Sequence, residues 1–531
     1  MNGAEVIMAA LKQAGARCMF GVPGGGSSLD LMAAAKAEGI AFHLARTETG
    51  AAIMAGAMAE LTRAPCPVLT TRGPGVSSAA NGMANASLER APVIHLADGF
   101  TAKERGFATH QVFDHAAMLR PVTRAQLRAD AVPGVAIHAA LHAALTPPYG
   151  PALLEVTDEA SRAEASAAAA FTRAPPAAAD AQAITAAQEI LAAASRPVII
   201  AGLEAVDAVP QLRALAQALQ CPVLVTYKGK GVLPDLHPLF AGVFTGGAAE
   251  VPVIAQADCI ILAGADPVEW IARPWKFTAP VIDIALVPRQ PHYMAPAVTV
   301  IGDIGLSLAQ LSGVPGGWDL REIMRLRAQW LAALANGPGG NRGISPQAVV
   351  ELAQAACRAI ARHPRISVDA GAHMFPATSF WQAEHPGDLL ISNGLASMGY
   401  ALPAGIAAAL HDPARGAIAF TGDGGLLMCL GELAAAASLG VKLTVVVFND
   451  STLSLIDIKK GERNLPEGGL DWPMADFAAV ARGLGAAAWR ADDEAGFASA
   501  MAAALATDGL SLVDARVDPS SYPKQITALR G

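Results

Sequence analysis

Aromatic residues are scarce in this 531-residue chain, at 5%, and charged residues make up only 16%. No basic block stands out, and a net charge of −8 argues against a nucleic-acid surface. Cysteine is rare as well. Cys18, Cys66, Cys221, Cys259, Cys357 and Cys429 are scattered without a C-x-x-C pair, which argues against a disulfide frame or zinc site and reads as buried thiols in a reducing compartment. Long apolar runs are missing: the alanine stretch at 165–170 is too short and too weakly apolar to span a bilayer. Residues 1–13 carry Glu5 where a signal peptide would place basic charge and a long apolar run. The expectation is a soluble, cytoplasmic protein with neither nucleic acid nor membrane as partner. What the chain does have is 53% hydrophobic residues, with abundant alanine suited to close helix-on-sheet packing. Its length calls for two to four domains.

Apolar runs and loop signals divide it into three α/β blocks. Short strands are expected at 18–20, 68–70, 93–96 and 153–156, with a helix at 4–14 before them. An Ala-, Pro- and Ser-rich stretch follows, then a second block from 197–200 through 259–262 to about 311. Further loop signals come at 313–317 and 336–345. The predicted domains are 1–160, 185–335 and 345–531, with a linker at 161–184.

The most informative motif is Thr421-Gly422-Asp423-Gly424-Gly425, followed by Phe448-Asn449-Asp450. The apolar runs at 417–420 and 443–448 read as strands, with one helical segment between them ending near Gly440. That is a βαβ unit, in which ligands collect at the carboxyl ends of the parallel strands. Asp423 and Asp450 both fall there. A magnesium-like ion suits such a site, taking a few carboxylates from protein and the rest of its ligands from phosphate and water. The start of the helix offers free N–H groups to the same phosphates.

Other segments are weaker alone. Phe20-Gly21-Val22-Pro23-Gly24-Gly25-Gly26 is a glycine turn without the Gly-x-Gly-x-x-Gly spacing, and a plain tight turn is its default reading. Glu48 heads a small-residue apolar helix, either as an exposed first-turn acid favoured by the helix dipole or as a buried acid. Thr71-Arg72-Gly73-Pro74-Gly75 says only that a stiff turn follows a strand.

Taken together with Gln111 before Arg120-Pro121-Val122-Thr123, Asp369-Ala370-Gly371-Ala372-His373, and Met398 within 392–402, these segments resemble the thiamine-diphosphate-dependent family of acetolactate synthases, pyruvate oxidases and benzoylformate-type decarboxylases. The resemblance implies three doubly wound parallel-sheet domains: pyrimidine-binding, middle Rossmann-like and diphosphate-binding. It implies thiamine diphosphate and Mg²⁺ as cofactors, with Asp423, Asp450 and the Thr452 carbonyl holding the metal. Gly25, Gly73, His373, Gly422, Gly424 and Gly425 would contact the cofactor, and Met398 would wedge beneath it, where ordinary core filling is the alternative. Glu48, supplied across a subunit interface, would hydrogen-bond the aminopyrimidine, with His110 and Gln111 toward the reacting atoms. The implied reaction is decarboxylation of a 2-oxo acid to an enamine, which is then protonated or ligated to a second carbonyl, in a homodimer or homotetramer with shared sites. Acetolactate synthase-like is the closest label. A simple 2-oxo acid decarboxylase, a flavin-dependent oxidase and a non-catalytic paralogue are the rivals.

Departures from the pattern bear on substrate and flavin. The synthases carry asparagine at Asp450, histidine at Thr47 and, in the apparent alignment, an acceptor-site tryptophan at Lys459. Lys459 either solvates a helix face or meets an anionic substrate group, and Gly26 joins it as a substrate-side candidate. Where flavin-binding members show Pro-Lys-Asp, this chain reads Val156-Thr157-Asp158-Glu159, so FAD is not expected.

Overall fold

The computed structural model describes the whole chain except residues 131, 272, 290–292, 313–315 and 336–342. The loop signals expected at 313–315 and 336–342 lie outside the described residues.

The first sheet comprises Cys18–Val22 (β1), Ala41–Leu44 (β2), Cys66–Thr70 (β3), Val93–Asp98 (β4), Gln126–Ala129 (β5) and Ala152–Val156 (β6). The second comprises Pro197–Ala201 (β7), Val223–Val225 (β8), Phe240–Val243 (β9), Cys259–Ala263 (β10), Val281–Ala285 (β11) and Val298–Ile301 (β12). The third comprises Arg365–Val368 (β13), Leu389–Ile391 (β14), Ala417–Gly422 (β15), Leu443–Asn449 (β16), Ala487–Ala491 (β17) and Leu510–Arg516 (β18). Every pairing between these strands is parallel. The expected α/β class with three doubly wound sheets is what the chain forms.

The strand orders are informative. The first runs β2-β1-β3-β4-β6-β5 and the third β14-β13-β15-β16-β18-β17, the same topology twice. The second runs β12-β11-β10-β7-β8-β9, the dinucleotide-fold order. Order reverses between β1 and β3, between β10 and β7, and between β13 and β15. Crevices open at the carboxyl ends of these pairs. The central strands are buried on both faces and so read as continuous apolar runs. The edge strands β2 and β5 are half-exposed and mixed in composition, which is why the expected strands did not include them.

Between β6 and the second sheet, residues 165–180 carry no regular structure, and the Ala181–Ala193 helix begins inside the stretch read as linker. The single helix expected after β15 is two, Asp423–Cys429 and Glu432–Leu439. The break falls where Arg46 lies against Gly431 and the buried Glu432 carboxylate accepts N–H bonds from Arg46 and Thr47 at 3.1 and 2.9 Å. Alanine serves more than helix-on-sheet packing. The Glu48–Thr62 and Ala401–His411 helices, nearly all Ala, Gly, Ile, Leu and Met on their buried positions, pack on each other between the first and third sheets.

Two buried lysines fasten the middle domain. Lys228 bonds Glu60 and Glu89 at 2.6 and 3.0 Å, while Glu89 also accepts the Gly394 N–H. Lys230, 1% exposed, bonds Asp235 at 2.6 Å and the Thr378 and Trp381 carbonyls. Breaking a buried pair leaves an uncompensated charge, so Lys230→Met is expected to cost about 3–5 kcal/mol. Scanning calorimetry should show its first transition well below that of the parent chain; an unchanged scan would rule out this role.

Candidate active site

The expected residues gather at the carboxyl ends of the strands around two order reversals. In the first sheet, the glycine turn leaves β1 and the Gly-Pro-Gly turn leaves β3, on the two sides of the order reversal. Gly24 lies against Thr71 and Asp98, and Gly26 against Asp158 and Arg72. Gly25 faces open space. Gly73 has φ +66° and a Cβ there would sit 2.8 Å from Gln111, so both backbone angle and crowding demand glycine. The Glu48 carboxylate lies over Gly75, 3.4 Å from where a Cβ would be. Glu48 is half-buried, starts its helix after the Thr47 cap, and makes no side-chain hydrogen bond or ion pair among the described residues. Gln111 and Glu48 therefore lie against the same turn, Gln111 at Gly73 and Glu48 at Gly75. His110, beside Gln111, is exposed.

In the third sheet, Asp423 leaves β15 and Asp450 leaves β16. Asp423 accepts the Gly424 and Ser451 N–H groups at 2.7 and 2.6 Å. Asp450 accepts the Ser454 hydroxyl at 2.5 Å, and the Thr452 N–H at 3.4 Å. Burial and the neighbouring Asp450 charge push Asp423 up to about 7. Burial pushes Asp450 up to about 6, against the Ser454 bond. The surroundings are close-fitting. A Cβ at Gly424 would meet Leu453, Trp472 and Met398 at 3.0–3.4 Å, and one at Gly422 would meet the His373 ring at 3.1 Å. His373 is buried and stacked on Phe448, its Nε2 is without a partner, and burial lowers it to about 3, so it is neutral. Gly425 leaves room for Asp369, which caps the next helix by accepting from Tyr400 and Ala401 at 2.6 and 2.9 Å.

Two neighbouring carboxylates, a buried imidazole nitrogen without a hydrogen-bond partner among the described residues and a glycine-lined helix start form a donor set that fits a hard cation with a diphosphate. Among the described residues no group of three or more His, Cys, Asp or Glu could hold a metal ion. Lys459, on the Ser454–Glu462 helix, is exposed and without an ion-pair partner among the described residues, whereas Lys460 donates to the Gly468 carbonyl.

Sequence reasoning missed several participants. Glu432 holds the Arg46-Thr47 segment just before Glu48. Trp472 covers Gly424 from a loop that carries no motif. His115 accepts the Gly73 N–H at 3.1 Å, and a lone histidine in a short helix gives no signal in one dimension. In the middle sheet, the crevice between β7 and β10 is closed by buried Glu269. It accepts the Leu203 and Asp266 N–H groups at 2.9 and 3.0 Å and the Thr226 hydroxyl, and burial pushes it up to about 8.

The sequence comparisons agree with this architecture. Three family models match in order: the N-terminal TPP binding domain of thiamine pyrophosphate enzymes over residues 1–118, the central domain over 184–311 and the C-terminal TPP binding domain over 369–515. Together they cover most of the chain, which belongs to the thiamine pyrophosphate enzymes. Within them it is acetolactate synthase-like. It is 28% identical to acetolactate synthase of Bacillus subtilis, over 98% of this chain and 94% of that protein. It is also 28% identical to the large subunit of acetolactate synthase isozyme 1 of Escherichia coli, over 86% and 83%. The same identity, over 97% and 94%, relates it to a probable 2-ketoarginine decarboxylase of Pseudomonas aeruginosa. No helix among the described residues is long and apolar enough to cross a membrane.

The two aspartates predict a pH dependence. Folded, both hold protons at pH values where the unfolded chain, with an aspartate value near 3.8, has released them. This contribution to the stability of the metal-free protein is therefore fully present below about pH 4, falls as pH rises toward the folded values of about 6 and 7, and levels off above them. Asp423→Asn should flatten the fall in melting temperature between about pH 4 and pH 7 in chelator-treated protein. Parallel curves for variant and parent would count against the assignment.

Proposed function

We propose that the protein is a Mg²⁺- and thiamine-diphosphate-dependent enzyme that decarboxylates a 2-oxo acid and passes the product on as a lyase or carboligase. The observation that carries this reading is the pairing of Asp423 and Asp450 at the carboxyl ends of the adjacent strands β15 and β16, beside the order reversal, where burial raises both carboxyls and the Asp450 charge raises Asp423 further, a penalty that a bound cation would relieve. Asp423, Asp450 and the Thr452 carbonyl would hold Mg²⁺, His373 and Gly422 to Gly425 the diphosphate, and Met398 the cofactor's underside. Gly25 and Gly73 would line the ring end. The cofactor, when bound, supplies an electron sink for the carbanion left by carbon dioxide. The role of Glu48 is to hold a proton against the ring nitrogen, in a setting of apolar helix and glycine turn that strengthens that bond. Gln111 stands against Gly73 of the same turn, with His110 one residue further along the chain.

An assembly with shared sites is supported by Glu48, whose side chain has no hydrogen-bond or ion-pair partner among the described residues. It is supported further by Phe107, Phe113 and Met118 of the first domain and Met428 of the third, which leave large apolar side chains exposed. A homodimer or homotetramer would cover them. All six cysteines are buried and free, which suits a reducing cytoplasm. FAD is not proposed. The N–H groups a diphosphate would use in the middle crevice are taken by Glu269, and a Cβ at Gly202 would already strike Ala265 and Glu269.

Glu48→Gln tests the chemistry. Turnover should fall by about 10²-fold or more while thiamine diphosphate still binds, by calorimetry. Unchanged turnover would mean the role is wrong. A panel of 2-oxo acids, scored for carbon dioxide and products, separates a decarboxylase (aldehyde) from a ligase (2-hydroxy ketone). Exposed Lys459, without an ion-pair partner among the described residues, favours a substrate with a second anionic group. Lys459→Ala should raise KM about 10-fold for such a substrate and little for a neutral one, and equal effects would refute the contact.

A further inference from the structure

A relay of four groups runs from the surface of the first domain to the turn beside Glu48. The Gly73 N–H donates to His115 Nε2 at 3.1 Å. His115 Nδ1 lies 2.7 Å from Glu155 Oε1, and Arg128 donates to Glu155 Oε2 at 2.8 Å and to the Phe100 carbonyl at 2.6 Å. His115 is 2% exposed, and the Phe113 ring packs edge-on to it at 4.7 Å. The donors settle the tautomer. A backbone N–H can only donate, so Nε2 accepts, and Nδ1 carries the proton and donates to the carboxylate.

This arrangement does more than satisfy a loop. With its N–H pointed at His115, the Arg72–Gly73 peptide plane is set, and its carbonyl, trans across the same bond, faces the opposite way. Gly73 in turn abuts Gln111, which itself holds φ +62°, and two residues on Gly75 abuts the Glu48 carboxylate. Both angles lie in the left-handed region, where a residue other than glycine stays only if its surroundings hold it. Losing the Nε2 acceptor would free the peptide that links these two contacts.

We propose that His115, oriented by Glu155 and Arg128, is a positioning residue that holds the Gly73-to-Gly75 turn in register with Glu48 and Gln111. The inference rests on the reading of Glu48 as the catalytic acid. His115→Leu removes the acceptor, whereas His115→Gln keeps an amide oxygen that can take the Gly73 N–H. On a 2-oxo acid turned over by the parent enzyme, His115→Leu should lower kcat by about 10²-fold with KM within about 2-fold, and His115→Gln should recover most of the loss. Hydrogen exchange on the cofactor-free protein reads the bond directly: the Gly73 amide should be protected in the parent chain and exchange faster in His115→Leu. A parent-chain Gly73 amide exchanging like an open loop would overturn the proposal even if the leucine variant does not fold. So would a leucine variant with kcat within about 2-fold of the parent, or a glutamine variant as slow as the leucine one. An active Glu48→Gln enzyme would instead defeat the catalytic reading and leave the exchange result standing.

Discussion

Two carboxylates buried side by side repel each other, and burial alone already penalises each. Asp423 and Asp450 are driven together nevertheless because they end neighbouring parallel strands, with Gly422 paired to Phe448. Their position is a by-product of sheet register, and it is kept by local bonds: Asp423 takes two backbone N–H groups and Asp450 the Ser454 hydroxyl. Much around them serves the same crevice. Glycines at 422, 424 and 425 leave room for His373, Trp472, Met398 and Asp369 to close in, and Asp369 caps the alanine-rich helix behind.

That helix connects the crevice to the rest of the molecule. Small side chains let Ala401–His411 approach Glu48–Thr62 closely, so the first and third domains meet through helices rather than loops. Polar contacts then fix the angle. Glu432 holds the segment before Glu48, Asn81 bonds Ser397, and Asn85 bonds Ser392. Lys228 draws acids of the first domain and the Ile391 carbonyl of the third to the middle domain. Buried ion pairs contribute little net stability over an apolar replacement, yet they discriminate strongly against misplacement, because any shift strands a charge. Their concentration at domain junctions suits that use.

The fold class and the meeting of Asp423 and Asp450 at the ends of two parallel strands were legible in one dimension. Strand, glycine turn, helix and strand are local in sequence, and the register of a βαβ unit follows from right-handed connection. The repeated strand order of the first and third sheets was not legible. It is a property of how strands neighbour one another, and the edge strands that complete it are too exposed and polar to announce themselves. The split after β15 also escaped notice, since it answers to Glu432 and Arg46, which are far apart along the chain.

The sequence by itself determined the class of protein and the pairing of Asp423 with Asp450, because both depend on short-range pattern: apolar period, turn glycines and the carboxyl ends of adjacent strands. Only the tertiary structure decided which groups surround them. Whether Glu48 meets Gly75, whether His115 reaches Gly73, and whether Glu269 closes the middle crevice depend on contacts between residues that no spacing rule links. Packing three sheets against shared helices brings those residues within hydrogen-bond distance, and burial then makes each unsatisfied group costly enough that the arrangement has few alternatives.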